Sequence, residues 1–391
     1  MKILIATFTF APNKDGVAAA AAAAATAFQT QGWEVEVATG PAGTPRSSNR
    51  WGRGRIFEFR ITGTPYFRHP FRGEISEYLS FLKHGRWDVI VFQGYSWPLY
   101  LAAPHLEKIS GKKVLVSHGY NALIWTPVKR PPFGLCVFFH SVLQSILMLR
   151  WIHKIDRWVF LSSQKDFGSF YDHWLARRIS HPGITIIPNG VNENETGSGE
   201  SFRRSLGIGP DILVILCVGY FSQGKNQGMA VQAFRRANLR EACLVFIGPE
   251  PNEWMRRFQE SDLGLDPHAP SNKVFWITRQ SRQYVLDAFA GCDLYLSASV
   301  LEAQPMSILE AMAHGKPWVG QKAGCIPNLP GGICVRGLGP MVRALKQLAL
   351  SPELRRQLGR EGLQAAKLDF SRGRYEKSYC DLVRSLATHN P

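Results

Sequence analysis

Residues 297–320, SASVLEAQPMSILEAMAHGKPWVG, set two carboxylates in fixed relation on an otherwise apolar element. The run CDLYLSAS leading into them reads as a strand. Glu302 falls in a short loop that Pro305 closes from the first helical position, where its missing N–H and fixed φ cost nothing. Glu310 lies on the helix itself, roughly 7–8 Å along the axis from Pro305 at about 1.5 Å per residue. Gly315 stops the helix, and Lys316-Pro317 leads into a further strand, WVG. The stretch reads as strand, loop, helix, strand.

Working outward, short apolar runs alternate with helix-compatible segments along the chain. KILIATF, WEVEVAT, DVIVFQ, KKVLVSH, RWVFLSS and ITIIP occupy the first 190 residues; DILVILCVGY, CLVFIG, KVFWIT, CDLYLS and PWVG follow the polar stretch NENETGSGE at 192–200. This alternation predicts parallel, helix-covered sheets, and the polar stretch has linker composition. With 391 residues the chain exceeds one comfortable core and suits two. The expectation is an α/β protein of two doubly wound, Rossmann-like domains. Ligands bind such sheets outside the carboxyl ends of the strands, so the motif should face a cleft between the domains.

Composition narrows the setting. Seven scattered cysteines, an odd number without a Cys-x-x-Cys pair, suggest neither a disulfide framework nor zinc and point to a reducing cytosol. The start, MKILIATFTF, reads as a buried strand and lacks the core and cleavage site of a secretory signal. The most apolar window, FGLCVFFHSVLQSILML at 133–149, contains His140 and Gln144 and is too short to span a bilayer. It suits a core helix, or one lying on a membrane together with the basic RWIHKIDRW that follows. The 46 basic residues outnumber the 30 acidic ones, for a formal +16, which favours an anionic partner. The excess is sharpest at 46–72, where Arg46, Arg50, Arg53, Arg55, Arg60, Arg68 and Arg72 interleave with Trp51, Phe57, Phe59, Tyr66, Phe67 and Phe71 against one acid, Glu58. That mixture suits anionic lipid headgroups, a polyanionic acceptor or nucleic acid.

The Glu302-x7-Glu310 spacing, carried on through EAMAHGKP, resembles the motif of the large retaining glycosyltransferase family called family 4, whose members have the GT-B fold. The resemblance implies a nucleoside diphosphate sugar as donor and co-substrate, with no cofactor. Glu310 would accept from the ribose hydroxyls and Glu302 from hydroxyls of the transferred sugar, while backbone amides around Ala303, Gln304 and Met306 meet the diphosphate. It also implies an acceptor-binding domain at 1–190, a nucleotide-sugar domain at 191–370 and, in FSRGRYEKSYCDLVRSL, a final helix at 371–391 that crosses back onto the first domain.

Other stretches resemble the family in part. FAPNKDGVAAAAAAAATAF carries Asp15-Gly16 where the family usually has a Gly-Gly pair near the diphosphate, so Gly16 keeps one half of that loop. SHGYN places His118 at a strand end, where the family's histidine contacts the transferred hexose or stabilises charge. IIPNGVN resembles the hinge between the domains, and AGCIPNLPGGICV a glycine-rich turn shaping the cleft floor. VGYFSQGKNQ keeps the diphosphate lysine as Lys225 but has Tyr220 at the position of the partner arginine, so half of the cationic clamp is missing. The chain has no Asp-x-Asp pair, and a metal is not expected; Lys225, the helix N-terminus after Gln304 and the loop at Gly16 would meet the phosphate charge.

The reading is a retaining hexosyltransferase acting on a lipid-linked or cell-envelope glycan, cytoplasmic and peripheral at the inner membrane surface. Two alternatives stand beside it. One is a glycosyltransferase that modifies nucleic acid, which the basic excess would serve. The other is a non-catalytic partner subunit of the same fold, suggested by Tyr220 and Asp15.

Overall fold

The computed structural model describes residues 1–13, 15–43, 46, 48–64, 69–119, 142–143, 146–163, 171–256, 273–300 and 302–387. They form two compact units, Met1–Asn189 with Gly373–Pro391, and Gly190–Arg372.

The strands of the first unit are β1 (Lys2–Thr7), β2 (Glu34–Thr39), β3 (Arg50–Trp51), β4 (Gly54–Glu58), β5 (Ile61–Thr62), β6 (Arg72–Gly73), β7 (Val89–Gln93), β8 (Lys112–Ser117), β9 (Arg157–Phe160) and β10 (Ile184–Ile186). Its main sheet runs β10-β9-β8-β7-β1-β2-β4-β3 and is parallel apart from the β3–β4 hairpin at its edge. Every residue of β7 is buried, as a strand covered on both faces requires. Ile3 and Ile5 face one core with Ala21, Phe28 and Tyr379; Leu4 and Ala6 face another with Tyr78, Leu82 and Trp158. Each buried Val, Leu or Ile contributes about 1.5–3 kcal/mol relative to exposure. A one-residue slip would exchange the two faces, so the alternation fixes the register. The alanine run forms the helix Gly16–Thr30. Its small side chains let the helix Arg372–Ala387 pack close by, with Tyr375 donating its hydroxyl to Ala20 O at 3.0 Å.

Residues 46–72 differ from the free basic and aromatic surface expected of them. The described residues among them supply β3 to β6, and their described aromatic side chains turn inward. Phe59 is buried against Tyr78, Phe57 packs on Phe81, and the Trp51 ring meets Phe10 edge-on at 5.3 Å. Arg46 is also interior: it pairs with Glu58 and donates Nε to Ala11 O. Arg50, Arg53, Arg55, Arg60 and Arg72 remain exposed. Tyr66, Phe67 and Arg68 lie outside the described residues, as do residues 133–141, 144 and 145 of the apolar window, His140 and Gln144 included. Among the described residues no helix is long and apolar enough to cross a membrane.

The second unit contains β11 (Leu213–Val218), β12 (Ala242–Gly248), β13 (Lys273–Thr278), β14 (Leu294–Ser297), β15 (Trp318–Gln321) and β16 (Gly332–Val335). They form a parallel sheet in the order β13-β12-β11-β14-β15-β16. Its order reverses between β11 and β14, the place where a doubly wound sheet opens a crevice at its carboxyl end. The polar stretch at 192–200 is tied down rather than loose. Ser198 N donates to Asp287 Oδ1 at 2.7 Å, Gln283 Nε2 donates to Thr196 O at 3.2 Å, and the helix Gly199–Ser205 starts within it.

The helix after β14 spans Met306–Ala313. Pro305, with φ −73° and an extended ψ of 112°, stands at the position before its first residue, one residue from the expected place, and makes no side-chain cap. Gly315 at φ +65° ends it. Its amide donates to Met312 O and that of Lys316 to Ala311 O, at 2.9 and 2.8 Å, the paired bonds of a Schellman motif. A Cβ at Gly315 would meet nothing closer than 3.9 Å, so only the backbone resists a side chain there. Gly315→Ala should lower stability by about 1–2 kcal/mol. In urea denaturation the midpoint should fall with an unchanged slope; an unaltered midpoint would show that the left-handed cap is not needed.

Candidate active site

Two loops meet at the β11/β14 reversal of the second unit. Residues 219–226 leave β11 and residues 298–305 leave β14, and Val300 N donates to Gly224 O at 2.9 Å to join them. Across this joint Lys225 Nζ lies 2.5 Å from Glu302 Oε1. The carboxylate is only 11% exposed and the ammonium 30%, so each charge has a partner where water is scarce. Gln227, Tyr295, Ser297, Ser299 and Ser307 line the cavity beside Lys225. Tyr220, between the lining residues Gly219 and Phe221, is half exposed; its carbonyl accepts from Gln227 Nε2 at 2.7 Å.

The Glu302 loop is braced from behind. Cys325 N donates to Ala303 O at 3.0 Å, and a Cβ on Gly324 would come within 2.2 Å of Glu302 O and 2.4 Å of Ala303 O. The glycine-rich turn therefore supports the carboxylate loop by close backbone approach, which only glycine permits at φ +50°. Gln304 is buried, and Met306 opens the helix. Pro305 supplies no side-chain acceptor to that helix start, so the positive dipole end is left without a side-chain cap.

Glu310, in the second turn, is 13% exposed. Its Oε1 lies 2.6 Å from Arg282 Nη1, and Arg282 Nη2 lies 2.5 Å from Glu195 Oε2. Burial pushes the Glu310 carboxyl above its ordinary range, and Arg282 pulls it part of the way back. Sequence reasoning did not select Arg282. A signal existed: Ser281 caps the helix Arg282–Gly291 directly after β13, which sets Arg282 at the carboxyl end of the sheet.

Gly16 and His118 belong to the first unit. Asp15 caps the alanine helix there, its Oδ1 accepting from the amides of Val17 and Ala18 at 3.1 and 3.0 Å, while Oδ2 accepts from Thr9 Oγ1 at 2.7 Å. The amides beside Gly16 that were expected to meet a diphosphate are thus already bonded to a carboxylate. His118 Nε2 lies 2.7 Å from Gln93 Oε1. This contact fixes the orientation of the ring. Burial pushes the imidazole down to about 4, so it stays neutral near pH 7. Nearby Asp172 accepts from Ser117 Oγ, from Tyr95 OH at 3.0 Å and from the His173 amide at 3.0 Å, with its carboxyl pushed up to about 6 by burial.

The chain is similar to known proteins. Residues 199–330, which hold Lys225, Arg282, Glu302 and Glu310, match the family "Glycosyl transferases group 1". The chain is 24% identical over 344 residues to the alpha-monoglucosyldiacylglycerol synthase of Streptococcus pneumoniae, covering 84% of this chain and 73% of that protein. Sucrose-phosphate synthase from Thermosynechococcus elongatus superposes with a TM-score of 0.78 at 16% identity over the full length of both chains. The Anabaena protein HepE, in its complex with UDP-glucose, superposes with a TM-score of 0.72 at 17% identity over 98% of this chain and all of that one. Residues 199–330 are thus similar to the glycosyl transferases group 1, and the chain as a whole has the GT-B fold of these glycosyltransferase structures.

Proposed function

We propose that the second unit binds a nucleoside diphosphate sugar and that the chain transfers its hexose with retention, without a metal ion, to a lipid-linked or envelope glycan held by the first unit. The carrying observation is the Lys225–Glu302 pair beside an uncapped helix N-terminus at the strand reversal. A diphosphate there would draw Lys225 by charge and the amides around Ala303, Gln304 and Met306 by hydrogen bonds. Glu302, released from Lys225, would accept from sugar hydroxyls, Glu310 from the ribose, and His118 would meet the hexose as a neutral group. Lys225 and the helix N-terminus supply the positive charge that a metal otherwise brings, so catalysis is positioning and stabilisation of the leaving diphosphate. The UDP-glucose bound to HepE and the glucosyl and diacylglycerol groups named in the pneumococcal relative support this choice of donor and acceptor.

The exposed arginines of the first unit support a place at an anionic membrane. Because Trp51, Phe57 and Phe59 pack inward, that contact would rest on Arg50, Arg53, Arg55, Arg60 and Arg72 rather than on inserted rings. Each basic residue near such a surface is worth about 1 kcal/mol, and salt screens it.

Glu310→Ala should abolish nucleotide binding in calorimetry, and Lys225→Ala should lower transfer by roughly one to three orders of magnitude; near wild-type turnover of both variants refutes the site. Tyr220→Arg restores a second cation on the loop of Lys225 and should tighten donor binding by roughly fivefold to tenfold. An unchanged donor affinity would mean that this corner does not meet the diphosphate. Co-sedimentation with anionic liposomes should be strong at low salt and lost by about 0.5 M, and binding that resists salt would point to apolar insertion instead.

A further inference from the structure

Arg282 occupies a position that the fold does not favour for a cation. It is the first residue of the helix Arg282–Gly291, and the positive end of a helix dipole repels a guanidinium. Its side chain nevertheless reaches two carboxylates from different parts of the second unit: Glu195, just beyond the start of the unit, and Glu310, on the helix after β14. The Glu195 segment is itself fastened to the Arg282 helix through Ser198 with Asp287 and Gln283 with Thr196. The guanidinium fork is thus held from one side and spends its other nitrogen on Glu310 Oε1. A planar fork gripped at two points fixes the orientation of what it grips, which a flexible lysine would not do.

We propose that Arg282 is a positioning residue for nucleotide recognition: anchored by Glu195, it holds Glu310 through Oε1 and so presents Oε2 to the ribose hydroxyls of the donor. This rests on the reading of Glu310 as the ribose carboxylate. The groups facing Glu310 are Arg282 and, beyond it, Glu195; His314, one helical turn on with Nδ1 2.8 Å from Glu310 O, lies within electrostatic reach of Arg282, Glu195 and Lys316. Burial and Glu195 favour the protonated carboxyl, whereas Arg282 favours the carboxylate. Without Arg282 the carboxyl takes up its proton at higher pH on acidification, so the acid-side loss of nucleotide binding begins earlier.

The test is calorimetric binding of UDP, GDP and ADP, run in parallel from pH 5 to 9 on the wild type, Arg282→Gln, Arg282→Lys, Glu310→Gln and the double variant Arg282→Gln/Glu310→Gln. For the nucleotide that binds, Arg282→Gln should weaken affinity roughly tenfold and move the acid limb to higher pH. Arg282→Lys should leave the limb near its wild-type position. The double variant should bind no more weakly than Glu310→Gln alone, because Arg282 acts only through that carboxylate. A loss of folded protein would scale the binding amplitude without moving the limb, so the limb separates positioning from a structural defect. If Glu310→Gln is impaired while Arg282→Gln keeps both affinity and limb, the positioning role is overturned and the ribose reading stands. If Glu310→Gln binds like the wild type, the ribose reading fails and takes this proposal with it.

Discussion

Parallel strands cannot be joined by tight turns, so each connection in the second unit must cross the sheet as a helix and return to the same edge. All catalytic possibilities of the unit follow from this constraint. The carboxyl ends of β11 and β14 lie side by side, yet their loops run to helices on opposite faces, and a crevice opens where they part. Loop 219–226 and loop 298–305 are the two lips. The Val300–Gly224 hydrogen bond and the Lys225–Glu302 ion pair are what keep them at a fixed spacing.

Charge in this unit is arranged as cation–carboxylate couples rather than as isolated groups. Lys225 balances Glu302, and Arg282 balances Glu310 with Glu195 sharing the same guanidinium. Partly buried carboxylates at such spacing would otherwise take up protons, as the raised Glu310 shows. On the proposed reading, a diphosphate would compete with Glu302 for Lys225 and exchange one charge-assisted bond for another.

The sequence made the periodic parts legible and left the compensated parts hidden. KILIATF, DVIVFQ and DILVILCVGY read as buried strands because β-branched and aliphatic runs between turn residues have few other uses, and the doubly wound α/β expectation agrees with the GT-B relatives. RWGRGRIFEF did not read as sheet, since its arginines mask an alternation in which Gly54 and Ile56 are buried while Arg53 and Arg55 are exposed. Local charge says nothing of which face a strand presents, so it hides the inward packing of Trp51, Phe57 and Phe59. Arg282 was missed for a related reason: its partners at 195 and 310 are distant in sequence, and only the fold brings them to one guanidinium.

The two units carry the same kind of helix after a strand at a reversal of strand order, but their helix N-termini are opposite in chemistry. In the first, Asp15 places its own carboxylate on the amides of Val17 and Ala18, which satisfies the dipole and repels a phosphate. In the second, Pro305 offers no side-chain acceptor, and the helix Met306–Ala313 begins uncapped. The two helix starts therefore differ in one residue type at the cap: beside Gly16 the Val17 and Ala18 amides are bonded to Asp15, whereas Pro305 leaves the amides after it without a side-chain acceptor. A stabilised cap and an anion site use the same amides, so a helix that has one does not offer the other.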